Sequence, residues 1–87
     1  MVLTLFNKVE KVSPLPDYRL HIGFANGEER FYDVNPLFEK WDVFVALKQI
    51  NGLFKQVKVD NGGYGISWND ELDLACDELY FNGASVN

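Results

Sequence analysis

The sequence predicts an α+β fold: a small single domain with a mainly antiparallel β-sheet built from two hairpins, and one or two short helices packed on it. Three observations lead to this prediction. Alternating apolar residues run into Asn26-Gly27, a dipeptide favoured in tight hairpin turns. A second turn signal occurs at 60–63, and Asn35-Pro36 between the two is typical of a helix start. Because the chain has 87 residues, we expect one domain that spans 1–87.

The first hairpin begins with a run whose alternate residues are apolar, namely Tyr18, Leu20, Ile22 and Phe24. With Asn26-Gly27 as a two-residue loop, Ile22 is expected to pair with Phe31. A short edge strand is expected before this hairpin, from Lys8 to Val12. The segment 13–16 is expected to close that strand, because its prolines cannot donate hydrogen bonds to a sheet.

Two short helical segments are predicted between the hairpins. Asn35 is expected to be an N-cap, with Pro36 at the first helical position and a single turn that ends at Lys40. Asp42 is expected to cap a second segment, which Asn51-Gly52 would end. The apolar stripe of this second segment is expected to contain Val43, Leu47 and Ile50, with Phe44 beside it.

The second half of the chain predicts another hairpin and a terminal helical turn. Apolar residues between Phe54 and Val59 precede the turn at 60–63, and the run from Tyr64 to Trp68 follows it. A last short strand is expected around Leu72 and Leu74. The segment 75–80 is expected to form a helical turn with acidic residues near its positive end.

The negative charge of the chain is concentrated in its last third. Thirteen acidic and eight basic residues give a net charge of −5, and the residues after Lys58 include six acids and no base. A sequence pI near 4.6 argues against direct binding of nucleic acid, which needs a basic surface to neutralise phosphates. We therefore expect the partner to be a basic protein.

Cysteine usage and hydropathy indicate a cytoplasmic protein. Cys76 is the one cysteine, so the chain cannot be a disulfide-stapled secreted scaffold. The apolar run from Val2 to Phe6 is too short for a signal peptide, and no segment reaches the roughly 20 apolar residues of a membrane helix. We expect a monomer or homodimer that needs no membrane and no cofactor.

The candidate partner-binding residues are four carboxylates of the acidic third and one tryptophan: Asp70, Glu71, Asp77, Glu78 and Trp41. A calcium loop that starts at Asn69 fails, because Leu74 stands where glycine is needed and Tyr80 where glutamate is needed. The carboxylates are either solvated surface charges, with Asp73 or Asp77 capping a helix, or a docking patch for a basic partner. The sequence leaves both interpretations open.

The sequence contains no recognisable catalytic constellation, so we expect a protein that is not an enzyme. Cys76 and His21 are the only thiol and imidazole, and the acidic neighbours of Cys76 oppose a reactive thiolate. Two alternatives stay open: a metal-dependent enzyme that uses the carboxylates, and a structural domain that oligomerises through its edge strand. Trp68 is expected to pack in the core, and Trp41 to be partly exposed.

The order of certain residues along the chain forms a pattern that contains Asn26-Gly27, Asp33, Pro36, Trp68, Asp73, Leu74, Leu79 and Tyr80. Over nearly the whole chain this order resembles a bacterial family catalogued as domain of unknown function 2442. Asn69 and Cys76 depart from the family pattern, in which proline is common at both places.

The resemblance implies a small α+β domain with a largely antiparallel sheet and no established enzymatic activity. Some relatives carry an appended helix-turn-helix domain, and some are encoded beside a small protein in pairs proposed to be toxin and antitoxin. Because this chain ends at Asn87, soon after the pattern, we expect no appended DNA-binding domain. We expect a small protein-interaction module, the antitoxin-like member of a pair, that uses an acidic C-terminal surface.

Overall fold

The computed structural model describes residues 7–86, so the apolar run from Val2 to Phe6 lies outside the described residues. The strands are Val9–Leu15 (β1), Arg19–Phe24 (β2), Glu29–Asp33 (β3), Lys58–Val59 (β4), Gly65–Ser67 (β5), Asp73–Ala75 (β6) and Ala84–Ser85 (β7). The α-helices are Asn35–Lys40 (α1), Ala46–Gln49 (α2) and Cys76–Asn82 (α3). Short 3-10 turns occur at Pro16–Tyr18, Asp42–Val45, Phe54–Gln56 and Asn61–Gly63. The predicted α+β class is confirmed.

The strands form two antiparallel sheets, one in the order β1-β2-β3-β7 and the other in the order β4-β5-β6. Each sheet contains one of the two predicted hairpins. β7 was not predicted, because a strand of two residues is too short to show alternation. It pairs Ser85 with Arg30 and Ala84 with Phe31, which brings the end of the chain back to β3.

The predicted register of the first hairpin is wrong by one residue, because Ile22 pairs with Arg30 rather than with Phe31. The loop has three residues rather than two: the Gly27 N–H donates to the Phe24 carbonyl at 3.0 Å, and the Phe24 N–H donates to the Glu28 carbonyl at 2.8 Å. Within the loop only Gly27 has a positive φ, which fits a type I turn followed by a bulge.

β1 is an edge strand, as predicted, but it is longer than expected. It continues through Pro14, which stands opposite Leu20 of β2, and ends at Leu15. Proline is tolerated in β1 because this strand lies at the edge of its sheet and has a neighbouring strand on one side only. The N–H that proline lacks can lie on the side without a neighbour, where no hydrogen bond of the sheet is lost. The prediction is therefore wrong for Pro14, which lies within the strand, whereas the strand does end directly before Pro16.

The start of α1 corrects the predicted cap. Asn35 is the first residue of the helix and not its N-cap, and the residue at the N-cap position, Val34, makes no side-chain capping bond. Instead, the Asp33 carboxylate accepts hydrogen bonds from the Asn35 N–H at 3.0 Å and from the Asn35 side-chain amide at 2.8 Å. Pro36 lies in the first turn, as predicted, and the helix ends at Lys40.

The second helical segment exposes part of the stripe that was expected to be buried. Phe44 and Leu47 are buried, whereas Val43 and Ile50 are exposed. The segment begins as a 3-10 turn in which Asp42 lies in the first turn and caps nothing. Residues three apart are aligned in such a turn, so Phe44 and Leu47 share the inner face.

The second half of the chain follows the prediction more closely. β4 and β5 form the second hairpin, and β6 is the expected last strand. Phe54–Gln56 is a 3-10 turn rather than an extension of β4. The terminal helical turn is confirmed as α3, which runs two residues further than expected, to Asn82.

The core lies between the two sheets and the helices, and the predicted apolar face of β2 points into it. The most deeply buried side chains are Leu20, Ile22, Phe24, Val34, Ile66, Leu72 and Leu79. Among residues 7–86, no helix is both long enough and apolar enough to cross a membrane.

Candidate functional site

Asp70 and Glu71 lie exposed in the turn between β5 and β6. The turn is held by Asn69, whose side-chain oxygen accepts hydrogen bonds from the backbone N–H groups of Glu71 and Leu72, both at 2.9 Å. The Trp68 N–H also donates to the Leu72 carbonyl at 2.9 Å. Asn69 is therefore a turn-forming residue, and it presents the two carboxylates to solvent.

Asp77 and Glu78 lie at the other end of β6, in the first turn of α3. A strand of three residues spans about 10 Å, so β6 separates the two carboxylate pairs by at least that length of chain. The four acids that are close in sequence do not form one cluster. This division separates two candidate contact surfaces that the sequence could not distinguish.

The surface of α3 combines charge with an exposed aromatic ring. Residues three or four apart on a helix are neighbours, so Phe81 lies beside both Asp77 and Glu78. Phe81 is 71% exposed and Asp77 is also exposed. We call these three residues the acidic α3 face.

Glu78 is held in place by two hydrogen bonds. Its carboxylate accepts one from the Tyr32 hydroxyl at 2.8 Å and one from the Asn82 side-chain amide at 3.0 Å. Burial, and then the hydrogen bond to Glu78, raise the pKa of Tyr32 well above its usual value. Tyr32 is therefore a neutral donor at physiological pH, and it orients the Glu78 carboxylate.

A shallow groove of about 230 Å³ lies between α1 and α3. Its lining includes Pro36 and Lys40 from α1, and Glu78 and Asn82 from α3. Trp41 follows Lys40 directly and is 55% exposed, which confirms the prediction of partial exposure. The groove thus contains one of the predicted contact residues, Glu78, and Trp41 follows the lining residue Lys40 in sequence.

Trp68 is buried, as predicted, and takes no part in a surface site. Its indole N–H donates to the Phe54 carbonyl at 3.0 Å. The ring stacks on Phe54 with centroids 6.2 Å apart and meets Phe44 edge-on at 6.1 Å. Trp68 joins the second sheet to the helical segment that precedes it.

Other residues of the family pattern lie on β6 and α3. Leu74 and Leu79 are buried, and Asp73 is exposed on β6. The Tyr80 ring packs edge-on against Phe24, and its hydroxyl donates to Glu28 at 2.7 Å.

The thiol and the imidazole lie on opposite faces of the first sheet. Cys76 belongs to the buried core, which Leu20 and Ile22 face from β2, whereas His21 between them points to the outer face. His21 Nε2 lies 2.6 Å from a Glu29 carboxylate oxygen. Burial, and then the charge of Asp77, raise the pKa of the Cys76 thiol, which disfavours a nucleophilic thiolate.

The carboxylates do not form a metal cage in the described part of the chain. Within residues 7–86, no three Asp, Glu, His or Cys side chains are grouped so that they could hold a metal ion. The Asp60 carboxylate accepts a hydrogen bond from the Ser67 hydroxyl at 2.6 Å, which ties β5 to the preceding turn.

Sequence reasoning missed a second groove, of about 390 Å³, between the end of β1 and the residues that follow Leu47. The prolines of the segment 13–16 were the sequence signal nearest to one wall of this groove. Its basic residues, Lys48 and Lys55, are far from that segment in sequence, so only the fold brings them together.

Comparisons with known proteins give one match. A family model described as Protein of unknown function (DUF2442) matches residues 9–85. No curated protein matches the chain, and no solved structure matches it.

Proposed function

We propose that this chain, which belongs to the family described as Protein of unknown function (DUF2442), is a protein-binding module without catalytic activity. Its binding surface is the acidic α3 face, and its partner is a basic protein. The observation that carries the proposal is the exposed Phe81 ring beside the carboxylates of Asp77 and Glu78.

The two kinds of side chain on the acidic α3 face have complementary roles. An exposed aromatic ring can enter a pocket of the partner and supply much of the binding energy. Carboxylates beside it accelerate association with a basic surface and reject acidic competitors. The residues after Lys58 include no base, so α3 itself carries no positive charge, and Lys40 of α1 is the one basic residue in the lining of the groove next to Glu78.

The surroundings of the acidic α3 face favour binding as well. The Tyr32 hydroxyl and the Asn82 amide hold Glu78 in one orientation, so less side-chain entropy is lost when a partner binds. The groove between α1 and α3 adds a concave surface next to the face. Trp41, one residue beyond the lining residue Lys40, offers a second exposed ring for the same partner.

The partner that we propose is the small protein encoded beside this chain. The family resemblance supports this choice, because some relatives occur in pairs proposed to be toxin and antitoxin, and this chain would be the antitoxin-like member. The single cysteine supports a reducing, cytoplasmic location for the pair.

Titration calorimetry with the neighbouring gene product tests the proposal. Asp77→Lys combined with Glu78→Lys is expected to weaken binding at least tenfold, because two attractive contacts become repulsive. The matched control is Asp70→Lys combined with Glu71→Lys, which changes the net charge equally at the other end of β6. The control is expected to alter affinity less than threefold.

A third variant removes the ring without touching the bond between Tyr32 and Glu78. Phe81→Ser is expected to weaken binding at least tenfold while the protein stays folded, because this side chain is mostly exposed. Absence of binding by the unmodified protein at both low and moderate salt would reject the proposal. Equal losses in the Asp70 and Asp77 variants would assign the attraction to net charge and not to the acidic α3 face.

A further inference from the structure

The groove of about 390 Å³ shares no lining residue with the groove between α1 and α3. One wall is the turn that joins β1 to β2, from Leu15 to Tyr18, and the other consists of residues between Leu47 and Lys55. We call it the lysine groove, because Lys48 and Lys55 both line it.

The turn in the first wall is strained. Asp17 and Tyr18 both have left-handed backbones, with φ values of 63° and 59°, although neither is glycine. Two consecutive residues of this kind persist only where their surroundings hold them, and such positions concentrate at functional sites and ligand clamps. The strain therefore indicates that this wall of the groove takes part in ligand binding.

Contacts from three directions hold the strained turn. The Asn35 side-chain amide donates to the Asp17 carbonyl at 2.7 Å, and the Val34 N–H donates to the Tyr18 carbonyl at 3.0 Å. The Tyr18 ring meets Phe38 and Phe54 edge-on, at centroid distances of 5.3 and 5.2 Å. The wall is consequently rigid before any ligand arrives, which lowers the entropic cost of binding.

The charge of the lysine groove is opposite to that of the protein as a whole. Asp17 is the one acidic residue in its lining, and neither lysine forms an ion pair within residues 7–86. Lys48 Nζ lies over the Phe38 ring, 4.4 Å from its centroid, which fixes one positive charge at the rim. The net charge of −5 makes a polyphosphate backbone an unfavourable ligand for such a small basic site.

The lysine groove also contains apolar surface. Leu15 and Pro16 contribute it from one wall, and Ile50, which is 54% exposed, contributes it from the other. A ligand that matches this surface has an apolar centre with negative charges on either side. The groove is open, which suits an extended segment better than an enclosed small molecule.

We propose that the lysine groove binds a short extended peptide of a partner protein, in which an apolar side chain is flanked by carboxylates. The apolar side chain contacts Leu15, Pro16 and Ile50, and the carboxylates pair with Lys48 and Lys55. The peptide has the opposite charge to the basic partner of the acidic α3 face, so the molecule has two binding surfaces with different ligands.

Selection from a phage-displayed library of random dodecapeptides, with the full-length protein as bait, tests this inference. The enriched peptides are expected to contain a large apolar residue with Asp or Glu within two positions of it. In amide NMR spectra of the labelled protein, a synthetic copy of the most enriched peptide is expected to shift the signals of 15–18 and 47–55.

Charge variants with a matched control complete the test. Lys48→Glu combined with Lys55→Glu is expected to weaken peptide binding at least tenfold, because both flanking contacts become repulsive. Lys11→Glu combined with Lys58→Glu gives the same net charge outside the lysine groove and is expected to change affinity less than twofold. Ile50→Ser, at an exposed position, is expected to weaken binding about tenfold without loss of the fold.

The inference fails if the library yields no enriched peptide, or if the enriched peptides lack the apolar and acidic residues. It also fails if the two double variants weaken binding equally, because the effect would then follow net charge. Peptides that are basic and shift the signals of α3 would support the acidic α3 face and overturn the assignment of the lysine groove.

Discussion

Trp68→Phe is expected to lower the free energy of unfolding by about 2–5 kcal/mol, the sum of two terms. The indole N–H of Trp68 donates to the buried Phe54 carbonyl at 3.0 Å, and phenylalanine would leave that carbonyl unpaired, at a cost of roughly 1–3 kcal/mol. The ring is 4% exposed, so the smaller ring would also lose roughly 1–2 kcal/mol of buried contact. A loss of this size lowers the melting temperature of a domain this small by roughly 8–40 °C.

Urea unfolding followed by far-ultraviolet circular dichroism measures this loss, and the second tryptophan of the chain provides the control. Trp41→Phe is expected to change the free energy of unfolding by less than about 0.5 kcal/mol, because Trp41 is 55% exposed. Each variant keeps one tryptophan, so fluorescence should shift strongly on unfolding only where Trp68 remains. A loss below about 1 kcal/mol for Trp68→Phe, or an equal loss for Trp41→Phe, would refute the reasoning.

Three further predictions concern turns and pH. Asn69→Ala should lose about 0.5–2 kcal/mol of stability in urea titrations, because two backbone donors lose their acceptor, whereas Asn69→Asp should lose much less. Gly63→Ala should lower the melting temperature more than Gly27→Ala: both glycines have positive φ, but at Gly63 a Cβ would also lie 2.7 Å from a backbone oxygen. The raised pKa of Tyr32 means that the folded chain keeps a proton that the unfolded chain releases above about pH 10. Stability should therefore fall by up to about 1.4 kcal/mol per pH unit there, and urea midpoints of Tyr32→Phe at pH 9 to 11.5 should show a smaller fall.

Much of the fold could be predicted because its signals are local. The alternation from Leu20 to Phe24 reports which face of β2 is buried, and this follows from the geometry of a single strand. Turn residues such as Gly27 mark where the chain reverses. They do not report the loop length, so the pairing of Ile22 was predicted one residue away from its true partner.

The candidate site was predictable in composition but not in arrangement. The sequence places Asp70 and Asp77 in one acidic segment, but β6 lies between them, with Asp70 in the turn before it and Asp77 in the helix after it. The sequence likewise allowed a pair formed by Cys76 and His21, which the two faces of the first sheet keep apart. Spacing along a chain limits which residues can meet, but only packing decides which do.

By itself the sequence determined the α+β class, the burial of Trp68, the exposure of Trp41 and the concentration of negative charge after Lys58. These properties depend on short-range patterns and on composition. Only the tertiary structure decided that Phe81 stands exposed beside two carboxylates, and that Lys48 and Lys55 face a strained turn more than 25 residues earlier in the chain. The reason is that contacts between distant segments depend on how sheets and helices pack, and the local sequence does not encode that packing.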